Sequence, residues 1–139
     1  MSVLGLAQEH AEEVVSHLGV EGEAKADLQR FTSAFFRDAL PEELRGLDAA
    51  DMAEIAEFAW EAAKVRMPGR PDIRLESLKM DTDAPGSRRT ILCIVNDDMP
   101  FLVDSVAAIL AARGLTVDRV IHPVLDVRRD EDGTRLETI

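Results

Sequence analysis

The chain has 139 residues, a net charge of −11, 46% apolar residues and one cysteine. Those totals fit one soluble globular domain, or one with a helical appendage, that buries about two-thirds of its unfolded surface. The acidity excludes the basic stripe that displaces phosphate counterions on nucleic acid and the charge that anionic membranes attract, and the single Cys93 excludes an internal disulfide and a cysteine-cluster zinc site. No signal-peptide pattern opens the chain and no apolar run approaches ~20 residues, so the expected compartment is cytoplasmic.

Residues 6–18 (LAQEHAEEVVSHL) read as a first helix, with Leu6, His10, Val14 and Leu18 four apart and Gly19 as the stop. His10, Glu13 and His17 share a face at spacings open to zinc. On an acidic amphipathic helix they are read as solvated, and no metal is expected. A second helix is expected over residues 23–39, with Leu28, Phe31, Ala34 and Phe35 as its apolar stripe and Phe36 alongside. Pro41 opens a short turn that ends at Gly46. The third helix has Asp48 as its cap and Asp51 three residues on. Met52, Ile55, Ala59 and Ala62 or Ala63 form one stripe, and its many alanines suit close packing on the second helix.

Two prolines and a glycine at residues 67–71 (MPGRP) mark the main boundary. It divides a helical region, 1–69, from an α+β region, 70–139. Ile73 and Leu75 alternate with Arg74 and Glu76, as in a half-exposed strand. Residues 81–87 (DTDAPGS) read as a turn, so residues 73–80 and 90–95 are expected to pair antiparallel. The run Ile91-Leu92-Cys93-Ile94-Val95 suits a strand buried on both faces, with Cys93 as a small buried hydrophobe. Asn96-Asp97-Asp98 breaks it. Pro100 fits a first helical turn, with Asp97 or Asp98 capping it. Leu102, Val103, Val106, Ile109 and Leu110 recur at helical spacing, and Gly114 fits a left-handed stop. A long strand is expected over residues 115–129, interrupted at His122-Pro123, where Pro implies an edge or a bulge. Residues 130–133 (DEDG) signal a hairpin turn. Arg128 and Arg129 are expected to pair across it with Glu131, Asp132 or Glu137. A further strand begins at Thr134 and stops at Ile139, so the unit is expected to be truncated, with an open sheet edge that favours a homo-oligomer.

No Gly-rich phosphate signature is present, and no nucleophile, base and orienting group fall in a readable order. No catalytic residue and no cofactor site are therefore assigned. The turn at residues 96–101 is the best candidate binding point, because a strand end meeting a helix start gathers free N–H groups able to hold a carboxylate.

IVNDDMPFLVDS (94–105), RGLTV (113–117) and IHPVLDVRRDEDG (121–133), at this spacing, resemble the N-terminal region of the large bacterial NAD-specific glutamate dehydrogenases. The resemblance is strongest over 88–133 and reaches back more weakly through 31–70. More loosely the segment is similar to the ACT regulatory fold, with its first strand, Asp-x-Pro turn and helix. The resemblance implies an α+β fold: N-terminal helices packed with a mostly antiparallel, truncated ACT-like β-α-β-β unit. It implies a regulatory or assembly segment, with the rest of the parent chain as partner. The parent would convert L-glutamate to 2-oxoglutarate and ammonia with NAD⁺, on residues outside this chain. It also implies an amino-acid effector at Asn96, Asp97, Asp98, Met99 and Phe101, with Asp98 meeting the amine and backbone N–H groups the carboxylate. Phe101 departs from that pattern, because typical ACT domains carry Gly after the Pro. The alternative is a stand-alone amino-acid-sensing or oligomerisation module of the same fold.

Overall fold

The computed structural model describes residues 22–78 and 89–139. The expected first helix, its zinc-spaced face and the 81–87 turn lie outside the described residues. Within them the order is α1 (Gly22–Arg37), α2 (Pro41–Leu44), α3 (Ala49–Ala62), β1 (Asp72–Leu78), β2 (Arg89–Val95), α4 (Leu102–Ala112), β3 (Val127–Arg129) and β4 (Arg135–Thr138).

Helices α1 and α3 form the core. Phe31, Phe35 and Phe36 from α1 meet Met52, Ala53, Ala56 and Ala59 from α3, with Ala63 just beyond it. The small α3 side chains let the helices approach closely and leave the volume to the phenylalanines. Phe31 and Phe35 stack at 5.8 Å between centroids, and Phe36 meets Phe35 edge-on at 4.9 Å; both geometries suit the ring quadrupoles. The start of α3 is fixed by a reciprocal capping box. The Asp51 N–H donates to Asp48 Oδ1 at 2.8 Å, and the Asp48 N–H donates to Asp51 Oδ2 at 3.3 Å. On its outer side, burial and the neighbouring charges of Glu54 and Glu61 raise the Glu57 carboxyl above its usual value.

β1 and β2 pair antiparallel, as expected of residues 73–80 and 90–95, with Ile73 opposite Ile94 and Leu75 opposite Leu92. The expected burial of β2 on both faces does not occur. Leu92 is exposed, along with Ile73 and Leu75 on the same side. Val95 reaches the helical core, because α3 covers one face of the hairpin only. Cys93 is half-buried, and burial pushes its thiol up.

α4 ends as its sequence implies. Gly114 has φ +73°, its N–H donates to the Ala111 carbonyl and the Leu115 N–H donates to the Leu110 carbonyl, which is a Schellman closure. The start of α4 differs from expectation. Its N-cap is Phe101, at φ 65°, ψ 8°, with no side-chain cap. Neither Asp97 nor Asp98 caps the helix, because the helix begins after Phe101 and Asp97 is engaged elsewhere. No α4 residue is fully buried.

The long strand expected over 115–129 is also corrected. Only Val127–Arg129 joins a ladder, pairing antiparallel with β4. Upstream, residues 115–126 belong to no strand, the Ile139 N–H donates to the Asp126 carbonyl at 2.8 Å, and alternate residues 121, 123, 125 and 127 are partly buried. Ile121 and Leu125 pack against the helical core. The period-2 signal is therefore real, but the inward residues rest on helices rather than on a neighbouring strand. Pro123, with no N–H, suits that arrangement. Arg119 holds the segment to the α2 turn by donating to the carbonyls of Glu43 and Arg45.

The β3–β4 hairpin is bound to the helices by a mostly buried polar cluster. Arg135 lies between the rings of Phe31 and Trp60, at 5.5 and 5.0 Å. Its Nε donates to Asp27 Oδ2 at 3.0 Å and its Nη1 to the Trp60 carbonyl at 2.8 Å. Trp60 Nε1 also donates to Asp27 Oδ2, at 2.9 Å, and the Thr138 N–H donates to Asp27 Oδ1 at 2.6 Å. Together these elements are an α+β arrangement of helices with two small antiparallel sheets.

Candidate functional site

The turn between β2 and α4 borders an open concavity of about 420 Å³. Asp98, Met99 and Phe101 line it, with Asp104 from the first turn of α4 and His122 from the extended segment. The structure thus brings three of the five sequence-derived candidates to one hollow. Asn96 and Asp97 point to a different partner. Arg66 Nη1 donates to Asp97 Oδ1 at 2.8 Å, and Nη2 donates to Asn96 Oδ1 at 3.4 Å. Asn96 Nδ2 in turn meets Met99 Sδ at 3.4 Å.

Arg66 organises this turn. It follows α3, its own N–H donates to the Gly133 carbonyl, and its Nε donates to the Arg70 carbonyl. Its side chain is largely covered, whereas Asp97 is exposed. The hydrogen bond and charge of Arg66 hold the Asp97 carboxyl below its usual value. Nothing local in the sequence marks Arg66, because its partner Asp97 lies 31 residues away.

The hollow carries two acidic side chains and a helix N-terminus. Ser105 is the first residue of α4 whose N–H closes a helical bond, to the Phe101 carbonyl at 2.9 Å, so the N–H groups before it have no intrahelical partner. Acidic side chains can meet an ammonium, and N–H groups at a helix start a carboxylate, the two charged groups of an α-amino acid. Phe101 stands at the rim, 77% exposed, in the left-handed backbone region that a Gly at this position would adopt freely. Among the described residues no group of three or more His, Cys, Asp or Glu side chains is arranged to hold a metal ion.

A β-hairpin leading through an Asp-containing turn into a glycine-stopped helix, beside a second antiparallel hairpin, defines an ACT-like α+β protein. Residues 31–139 match the family described as glutamate dehydrogenase, ACT1 domain, and the chain belongs to that family. It is similar to the NAD-specific glutamate dehydrogenase of Halomonas elongata, with 29% identity over 129 residues, and to that of Pseudomonas aeruginosa, with 27% over 126 residues. These alignments cover 93% and 91% of this chain, and the chain spans about 8% of the length of each of these curated relatives. No solved structure matches it. No helix among the described residues is long and apolar enough to cross a membrane.

Proposed function

We propose that this chain is the non-catalytic N-terminal regulatory and assembly segment of an NAD-dependent glutamate dehydrogenase. In this reading the parent protein oxidatively deaminates L-glutamate to 2-oxoglutarate and ammonia, and NAD⁺ is bound by residues outside this chain. The observation that carries the reading is the family match over 31–139, joined to relatives named NAD-specific glutamate dehydrogenase of which this chain spans about 8%. The regulatory part rests on the hollow at Asp98, Met99 and Phe101. An amino-acid effector would place its amine at Asp98 and its carboxylate on the N–H groups at the start of α4. Asn96 and Asp97 act indirectly, through their hold on Arg66. The assembly part rests on α4, none of whose apolar residues is fully buried and whose Ile109 is 60% exposed. The rest of the parent chain or a second copy would cover it.

The test begins with the subunit mass in source cells. A subunit about twelve times the length of this chain, as the 8% share implies, carrying NAD⁺-dependent glutamate oxidation, supports the reading. A subunit near 15.3 kDa overturns it and leaves a stand-alone sensing or oligomerisation module. Given the long subunit, a panel of common amino acids should change the glutamate oxidation rate, and Asp98→Ala should remove the response while leaving the unstimulated rate in place.

A further inference from the structure

Beyond α3, residues 64–66 run antiparallel to residues 133–135. The Arg135 N–H donates to the Lys64 carbonyl at 2.7 Å, the Arg66 N–H donates to the Gly133 carbonyl at 2.9 Å, and Val65 bridges Thr134. The side chain of Arg129, at the end of β3, reaches over this crossing. Its Nη1 donates to the Gly133 carbonyl at 2.9 Å and to the Lys64 carbonyl at 3.3 Å. The Nε and Nη2 hydrogens, which form the flat edge that grips a carboxylate with two parallel bonds, have no acceptor among the described residues.

The neighbouring arginines are each supplied. Arg128 pairs with Glu137 at 3.0 Å, Arg135 with Asp27 at 3.0 Å and Arg66 with Asp97 at 2.8 Å. Arg129 is half-buried and pairs with no carboxylate among the described residues, in a chain of net charge −11. Its surroundings disfavour its charge: burial, then the positive fields of Arg135 and Arg66, push the guanidinium down from its ordinary value, and Asp72 offsets this only in part. A half-buried cation among cations is an unfavourable arrangement that an anion relieves. A purely structural staple across two carbonyls needs only the tip of the side chain, which a lysine ammonium could supply. The free planar edge is what that role leaves unexplained.

We propose that the Nε–Nη2 edge of Arg129 is a binding site for a small free carboxylate ligand. The site is separate from the hollow at Asp98, whose lining does not include Arg129, and it does not depend on the effector reading of that hollow.

The test follows the arginine Nε–Hε signals of the ¹⁵N-labelled protein by NMR. Acetate and succinate are titrated in separate arms against sodium chloride at matched ionic strength. The Arg129 signal is identified by its loss in Arg129→Lys. A saturable shift at Arg129, at least twice that at the exposed Arg45 and Arg113 and absent with chloride, supports the site. In the same series succinate should raise the Tm of the wild type and not that of Arg129→Lys. A shift at Arg129 no larger than at Arg45 and Arg113, or one that chloride reproduces, overturns it. A shift that follows protein concentration without added ligand also overturns it, since the occupant would then be an acidic side chain of a second copy. If Arg129→Lys fails to fold, the Arg129 Nε–Hε signal is assigned by triple-resonance connection to its backbone in the wild type, and the wild-type titration decides the matter.

Discussion

Replacing Asp27 by alanine should damage this protein more than any surface charge change. Asp27 accepts three bonds, from Arg135 Nε, Trp60 Nε1 and the Thr138 N–H. Removing it strands Arg135, whose side chain is only 4% exposed, with a single remaining acceptor in the Trp60 carbonyl. Breaking one side of a buried ion pair costs about 3–5 kcal/mol. Two further donors lose their acceptor, but Asp27 keeps some contact with solvent, so water can reach part of the gap and the total stays near that range. For a chain of this length the loss corresponds to a fall in Tm on the order of 10–20 °C. Urea unfolding followed by fluorescence is the assay, because Trp60 is the chain's single tryptophan and its indole N–H lies inside the cluster. In a double-mutant cycle with Arg135→Met, the pair of changes should cost less than the sum by roughly 1–3 kcal/mol. The pH dependence has a definite sign. Burial alone would raise the Asp27 carboxyl, but the bonds from Trp60 and Thr138 and the charge of Arg135 outweigh it and hold it below its usual value. Its stabilising contribution is therefore complete above the unfolded value of about 4 and is lost as pH falls through the lower folded value. Asp27→Asn should flatten that acid limb. A loss below about 1 kcal/mol for Asp27→Ala, or an unchanged acid limb for Asp27→Asn, would refute the reasoning.

Three further changes test separate parts of the fold. A Cβ at Gly133 would lie 2.1 Å from the Arg66 carbonyl oxygen, whereas one at Gly69 meets nothing within 4 Å, and both residues have positive φ. Gly69→Ala should cost about 1–2 kcal/mol from backbone strain alone, and Gly133→Ala clearly more in parallel urea melts; equal losses would show that the hairpin yields freely at this crossing. Phe101→Gly should raise stability by up to about 1 kcal/mol in thermal unfolding, since it relieves a left-handed aromatic residue that buries little; a fall of that size would mean that the ring packs on something. Asp48→Ala should cost about 0.5–2 kcal/mol through loss of the α3 cap, measured by helix signal on heating, and no change would show that Asp51 holds the helix start alone.

Local chemistry was legible in the sequence. Asp48 with Asp51 announced the start of α3, Gly114 the end of α4, and the turn residues between two apolar runs the antiparallel pairing of β1 with β2. Contacts made across sequence distance were not legible. The run at residues 91–95 reads the same whether one face or two are covered, and only the placement of α3 decides it. Asp97 resembles a cap from its position, but Arg66 takes its carboxylate. Arg129 reads as a partner for the turn acids, yet backbone carbonyls hold its tip. Arg135 gives no signal at all, since its acid lies 108 residues away. At the candidate site, Asp98, Met99 and Phe101 emerged from the resemblance and meet at the hollow. His122 was visible only as a strand break, because nothing local shows that its side chain lies beside the turn.

The uneven burial leads to one last expectation. The α1 and α3 helices, residues 121–125 and β4 share buried side chains and the Asp27–Arg135 cluster. α4 shares no fully buried residue with anything among the described residues. The turn before it is tied down chiefly by Val95 in the core and by Arg66 on Asn96 and Asp97. Opening α4 therefore exposes little new apolar surface, and local opening should need far less free energy than global unfolding. In native-state hydrogen exchange on dilute protein, amides of residues 106–112 should exchange well before those of residues 54–62, although both lie within regular helix. Raising the protein concentration separates two causes. If a second copy covers α4, its protection should climb with concentration while that of α3 stays fixed. Equal protection of the two helices at every concentration would show that α4 is held by contacts its burial does not reveal, and would refute the view that its apolar face is open.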